Sequence, residues 1–299
     1  MGYDIYFKSD EMDITLEVFQ NSFEERPHYT VEGDRALYDN KDTGVYFVCE
    51  YLAVKSAFEH KGKIKPDYCF RLSMNFCRPS IFITEALHEI DELVNDVGLN
   101  FFDPQVGGVG AGPFDLDKMY DNWLELNEKA IIDFARSLND SDPQIPLVPY
   151  DHMKALWEWN YTRETRDIAF KVEGVTVNIP RLLITVYDQQ AEVAVIWDFV
   201  QPIALPKVNL ILFPIVKEEE TTGYSVVFFE EVVDFLEEHK LQKSNAGYVM
   251  SYKTVPANVQ NFIDGLKVGD DIEICEMGDV MEQEIVEAAL FPNGRSDAS

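Results

Sequence analysis

The sequence predicts an α+β protein of two α+β halves, each with antiparallel or mixed sheets and helices packed on one face. Three observations carry this. Tyr68–Phe76 alternates Phe70, Leu72, Met74 and Phe76 with Arg71, Ser73 and Asn75, the period of a strand with one wet face. Just beyond it, Ile83, Leu87, Ile90, Val94 and Val97 recur at helical spacing up to Gly98. The segment from Asn139 through Pro143, Pro146 and Pro149 is turn chemistry and marks a boundary. The expected division is an N-terminal domain over 1–140, a β-rich C-terminal domain over 150–291 and a disordered tail over 292–299.

Taken in order, Tyr3–Phe7 and Gly44–Tyr51 are rich in aromatic and β-branched residues and read as strands. The helix that follows Pro79-Ser80 is expected to hold Glu85, Glu89, Glu92 and Asp96 outside. Leu99–Phe102 is a short strand, and Gly107-Gly108-Val109-Gly110-Ala111-Gly112 is a flexible connector or a mobile partner-contacting loop. Asp115 caps a long helix that is expected to turn Leu116, Met119, Trp123, Leu126, Ala130 and Phe134 inward. These elements suggest a β-β-α-β sheet with helices on one side. In the second half a helix spans Asp151 to about Thr162, and Leu182–Tyr187 and Val193–Phe199 flank Asp188-Gln189-Gln190-Ala191 as a hairpin. Strands at Val208–Pro214, Tyr224–Phe229 and Gly247–Tyr252 follow. Three helices close the chain: Glu230–His239, Pro256–Leu266 with proline in its tolerated first turn, and one opened by Asp279 with Glu282 as a capping-box pair.

With 299 residues, 46% hydrophobic and 13% aromatic, the chain can bury a substantial core, so disorder is a poor reading. The net charge of −29 argues against a nucleic-acid binder, which needs Lys and Arg at phosphates, and against docking on anionic lipid. That charge is spread almost evenly along the chain. The start lacks a cationic, apolar leader, and Tyr6 stands where a myristoylation pattern wants Ser or Thr. Val193–Val216, the most apolar region, is broken by Asp198, Pro202, Pro206, Lys207 and Pro214 and is no membrane span. A cytoplasmic location is the expectation. Cys49, Cys69, Cys77 and Cys275 lack CxxC spacing and suit free thiols in a reducing compartment, a Cys69–Cys77 link or a metal role being the alternatives.

No local motif supplies chemistry. The glycine run gives neither GxGxxG nor GxxxxGK, since Pro113 follows Gly112, and Asp103, Asp115 and Asp117 beside it repel phosphate. His88-Glu89-Ile90-Asp91-Glu92 has Glu92 where a zinc-protease helix needs its second histidine, so it reads as a solvated acidic face. His28, His60, His152 and His239 are isolated in sequence, and Asp151-His152 reads as a helix start. Asp115-Leu116-Asp117 lacks the ligand ladder of a calcium loop and suits a helix N-terminus instead. No cofactor, metal site or catalytic residue is assigned. The densest acidic stretch is Glu218, Glu219 and Glu220 followed by Glu230, Glu231, Asp234, Glu237 and Glu238. It supplies solubility, and it is also the candidate surface for a basic partner.

Several phrases of the first half carry a family resemblance: Tyr3-Asp4-Ile5-Tyr6-Phe7, Asp42-Thr43-Gly44-Val45-Tyr46-Phe47, Arg78-Pro79-Ser80-Ile81-Phe82-Ile83-Thr84-Glu85-Ala86, Phe102-Asp103-Pro104-Gln105 and Trp123-Leu124-Glu125-Leu126-Asn127. Over residues 1–135 the chain resembles cytosolic bacterial proteins of uncharacterised type, some of them immunity proteins that accompany secreted antibacterial toxins. The resemblance implies neutralisation of a toxin by direct binding and carries no functional residue. An acidic binding protein that takes a basic partner is therefore the leading expectation, because complementary charge raises association rate and selectivity. An enzyme with a non-local active site and an acidic nucleic-acid mimic are the alternatives.

Overall fold

A computed structural model describes residues 2–9, 13–52, 68–105, 110–112, 114–138, 145–166, 177–198, 202–217, 220–232, 242–244, 247–250, 254–266 and 272–290. The fold is α+β. It divides into two compact units, Met1–Ile145 with Met277–Ser299, and Pro146–Glu276. The break thus falls within the proline-bearing segment. The C-terminal residues, grouped with the second half from the sequence, belong to the first unit. The tail 292–299 lies outside the described residues.

The first unit comprises β1 (Gly2–Ser9), α1 (Leu16–Glu24), β2 (Tyr29–Glu32), β3 (Arg35–Asn40), β4 (Val45–Tyr51), β5 (Phe70–Asn75), α2 (Ile81–Val97), β6 (Leu99–Asp103), β7 (Gly110–Gly112) and α3 (Leu116–Ser137). Its seven strands form one antiparallel sheet in the order β2-β3-β4-β5-β1-β6-β7. The register puts Phe7, Phe70 and Phe101 side by side, and likewise Ile5, Leu72 and Cys49, and Tyr38 and Phe47. These residues are buried and define the core face, on which α2 lies against β4, β6 and α3. Phe7 stacks on Phe70 at 4.7 Å and Tyr38 on Phe47 at 4.6 Å, pairs each worth about 0.5–1.5 kcal/mol beyond area burial. The opposite face of β5 is wet as its alternation predicts: Arg71 pairs with Glu50, and Ser73 donates to Asp4.

Three elements of this unit, α1, β2 and β3, have no counterpart in the sequence reading. Thr15 caps α1 by accepting from the Val18 amide, and the β2–β3 hairpin lacks a fully buried residue in β2, so its period is weak. Both predicted helices stand, with α2 ending at Gly98 in the left-handed region and the Asp115 carboxylate accepting the Lys118 amide at the start of α3. The inward face of α3 differs from the expected one: its buried stripe is Met119, Trp123, Asn127, Ile131 and Ala135 at strict four-residue steps, while Leu116 and Phe134 are exposed and Leu126 and Ala130 only partly buried. Of the glycine run, Gly110–Gly112 forms the edge strand β7 rather than a loop, and residues 106–109 lie outside the described residues.

The chain returns to this unit through a 3-10 turn at Met277–Asp279, β17 (Met281–Glu282) and α8 (Gln283–Leu290), which packs on α3. Here Glu282 departs from its expected capping role. Its buried carboxylate accepts the Ser80 amide at the start of α2, while Arg78 Nη1 donates to the Gly278 carbonyl at 2.8 Å. Ser80 itself makes no side-chain cap, so Glu282 supplies the negative partner that the N-terminus of α2 favours.

The second unit holds β8 (Leu147–Val148), α4 (Tyr150–Tyr161), α5 (Arg163–Arg166), β9 (Leu182–Tyr187), β10 (Gln190–Ile196), β11 (Ile203–Leu205), β12 (Leu210–Lys217), β13 (Glu220–Phe228), β14 (Gln242–Ser244), β15 (Gly247–Met250), α7 (Ala257–Asp264) and β16 (Glu273–Cys275). A helix α6 begins over 229–232, and the rest of the helix expected to His239 lies outside the described residues. The strands make a five-stranded mixed sheet, β13-β12-β10-β9-β16, parallel only between β10 and β12, and a three-stranded antiparallel sheet, β11-β15-β14. The hairpin between β9 and β10 is tighter than its sequence suggests, because Asp188 and Gln189 take φ of 49° and 66°, the geometry of a primed two-residue turn. At the β14–β15 turn Gly247 has φ 138°, and a Cβ there would collide with the Leu205 carbonyl, so glycine is required.

Candidate interaction surface

Strand alternation gives the five-stranded sheet two unlike faces. On the inner one lie Val195, Trp197, Ile211 and Phe213, all buried, with Trp197 5.3 Å from Phe213 and Phe213 6.2 Å from Phe262 of α7. Helix α4 lies against β9, where Asn160 exchanges two hydrogen bonds with the Leu182 backbone, at 2.8 and 3.0 Å. The outer face carries the register partners Leu210 and Phe228, Leu212 and Val226, Pro214 and Tyr224, and Ala194 beside Leu210. At its centre Ala194, Leu210 and Leu212 are buried, while Tyr187, Ile196, Tyr224, Val226 and Ile272 around them are only partly so. Phe228 is 48% exposed and Ile274, on the same face through its pairing with Thr185, is 40% exposed. Tyr187 and Phe228 meet edge to face at 6.0 Å. Among the described residues, the partly buried hydrophobics packed on this centre come from the sheet itself and from Ile272. A contiguous aromatic and aliphatic surface of this kind marks a protein-binding site more often than a solvated sheet.

Of the eight acidic residues singled out by sequence, three belong to the described residues, at the two ends of β13. Glu220 opens β13, and Glu230 and Glu231, both exposed, stand at the start of α6 just beyond its other end. A nine-residue strand spans about 30 Å, so position 220 and the Glu230–Glu231 pair stand at opposite ends of β13 and do not form one patch. Glu218, Glu219, Asp234, Glu237 and Glu238 lie outside the described residues. Asp188 and Glu273 add exposed carboxylates at the β9 and β16 side. The sequence signal for the apolar face was present in the alternation of Tyr224, Val226 and Phe228, but without the strand order nothing tells which side of β13 the helices cover.

In the first unit the structure corrects the expected outer face of α2. Glu85 is wholly buried and Glu89 is 9% exposed, while His88 is exposed. One oxygen of Glu85 accepts from Tyr38 Oη at 2.7 Å, Asn40 Nδ2 at 2.8 Å and Thr43 Oγ1 at 3.0 Å. Burial and this carboxylate push the Tyr38 phenol far above its ordinary value, which keeps it a donor. One turn on, Glu89 faces Glu85 and Glu92 of its own helix, Arg26 after α1, Tyr29 of β2, Tyr38 of β3 and Cys49 of β4. Burial and the two neighbouring carboxylates push it up from 4.5 to about 7, against the pull of Arg26, which is engaged with Glu92 and Asp96.

A raised folded pKa means the native state holds the Glu89 proton more tightly than the unfolded chain. Its stabilising share is complete below about pH 4.5 and is lost as pH rises through 7. Glu89→Gln, neutral throughout, is expected to match the wild type near pH 4.5 and to exceed its stability by about 1–2 kcal/mol at pH 8, less than the full shift because the carboxyl keeps some water contact. Urea unfolding at the two pH values measures this. A difference independent of pH would contradict it.

Neither unit assembles a reactive constellation among its described residues. The four cysteines are free thiols; burial pushes Cys69 up to about 11 and raises Cys49 and Cys77 as well, which disfavours the nucleophilic thiolate. No group of three or more His, Cys, Asp or Glu is placed to hold a metal ion among the described residues. Asp103 accepts from Tyr3 Oη at 2.9 Å and Asn122 Nδ2 at 2.8 Å, and Asn127 bonds the backbone of Cys77 and Arg78, so these buried polar groups brace loops. His152 is exposed on α4 and His28 lies against the Tyr38 ring, while His60 and His239 lie outside the described residues. No helix among the described residues is long and apolar enough to cross a membrane. Comparison with family models, with curated proteins and with solved structures finds no match to this chain.

Proposed function

We propose that this chain is an acidic binding protein of the immunity type, which neutralises a cognate basic toxin in the cytoplasm by direct protein contact. The observation that carries the reading is the outer face of the five-stranded sheet, an apolar surface of Tyr187, Tyr224, Val226, Phe228 and Ile274 bordered by carboxylates. Aromatic anchors inside a polar rim are the anatomy of a specific interface. The charge of −29 supports a basic occupant, because it steers encounter and rejects other acidic proteins. Inhibition by binding needs no chemistry of its own, and the resemblance over residues 1–135 points the same way.

The test is co-expression with the secreted toxin encoded beside its gene. Growth is expected to be restored by the wild-type chain. A neighbourhood without a toxin, or a toxin whose killing is undiminished, would overturn the proposal.

A further inference from the structure

We propose that the open edge of β13 captures its partner by strand addition, taking an extended basic segment as a sixth strand of the sheet. The inference rests on the basic-partner reading above and specifies how the contact is made. Among the described residues β13 pairs only with β12, so one row of its amide and carbonyl groups faces outward. Among the described residues the other edges of the three larger sheets are short: β2 has four residues, and β7, β16, β11 and β14 have three each, whereas β13 has nine.

Natural edge strands are blunted by lysines, prolines or bulges. Tyr224-Ser225-Val226-Val227-Phe228 has no charge and no proline. The single register shift in the β12–β13 pair, at Ile215/Val216, lies at the hairpin end and leaves Gly223 through Phe228 in regular register. An added strand would therefore continue a straight ladder and lay alternate side chains beside Tyr224, Val226 and Phe228.

Charge selects the occupant. A second copy of this chain would bring a further −29 against the exposed Glu230 and Glu231 beside this edge. A strand bearing lysine or arginine meets the same carboxylates as partners.

The probe is a nine-residue peptide of alternating lysine and valine, titrated against the full chain by calorimetry and by amide spectra. It is joined by two analogues N-methylated on the lysines or on the valines, and by a glutamate–valine counterpart. Residues of one parity present their amides to one edge of a strand, so a single N-methylated analogue is expected to lose at least ten-fold in affinity while the other is spared. Perturbed amides are expected to centre on Tyr224–Phe228, and Glu230→Lys/Glu231→Lys is expected to weaken the parent peptide several-fold at low salt. Equal binding by both methylated analogues would mean charge attraction alone and overturn strand addition while sparing the basic-partner reading. Equal affinity for the glutamate–valine peptide, still sensitive to methylation, would keep the open edge and overturn the basic partner. Failure of every peptide to bind would overturn strand addition.

Discussion

Glu85→Ala is expected to destabilise the first unit by about 3–5 kcal/mol, the cost of breaking a buried charged network by deleting one partner. Tyr38, Asn40 and Thr43 all converge on one oxygen of Glu85, and that residue, Asn40 and Thr43 have almost no solvent contact. Without the carboxylate, three donors from β3 and the β3–β4 turn have no acceptor and no water to replace it. Glu85→Gln keeps the accepting oxygen and the shape, so its expected cost is smaller, about 1–2 kcal/mol. Urea unfolding followed by tryptophan fluorescence measures both, with Trp123 buried in the same unit. A Glu85→Ala variant within about 1 kcal/mol of the wild type would show that the network is solvated or replaceable.

Phe228→Asp is expected to weaken partner binding at least 100-fold, equivalent to about 2.7 kcal/mol. The ring stands at the C-terminal end of β13, half exposed, against Tyr187 and across from the buried Leu210 at the centre of the candidate surface. A charge there would lie where a partner must exclude water, yet the free chain pays little for it because the site is already wet. Thermal unfolding is therefore expected to move by a few degrees at most, which separates loss of binding from loss of fold. Unchanged affinity would remove Phe228, and with it the outer face, from the interface.

Sequence periodicity identified α2 and α3 because each carries a long apolar stripe and a legible terminus, Gly98 in one case and Asp115 in the other. It misassigned Glu85 and Glu89 for a physical reason. Spacing on a helix tells which residues share a side, but burial of a carboxylate depends on donors supplied by other elements, here Tyr38, Asn40 and Thr43, some forty residues away in the chain. Likewise Glu282 stands three residues after Asp279 in the pattern of a capping box, and only the return of the chain to the first unit brings it to Ser80. The candidate surface was half legible. Its acidic flanks and its alternating aromatics appear in the sequence, whereas the position of β13 at a sheet edge follows from the parallel pairing of β10 with β12, which no local pattern encodes.

The most direct test of the central claim is affinity capture from the protein's own lysate at about 150 mM salt, where distant surface charges are screened within roughly 8 Å, with wild type and Phe228→Asp as parallel baits. The wild type is expected to retain one stoichiometric basic protein, and the variant, folded and melting within a few degrees of the wild type, to lose it. An empty wild-type bait, or a partner held equally by both, would contradict it.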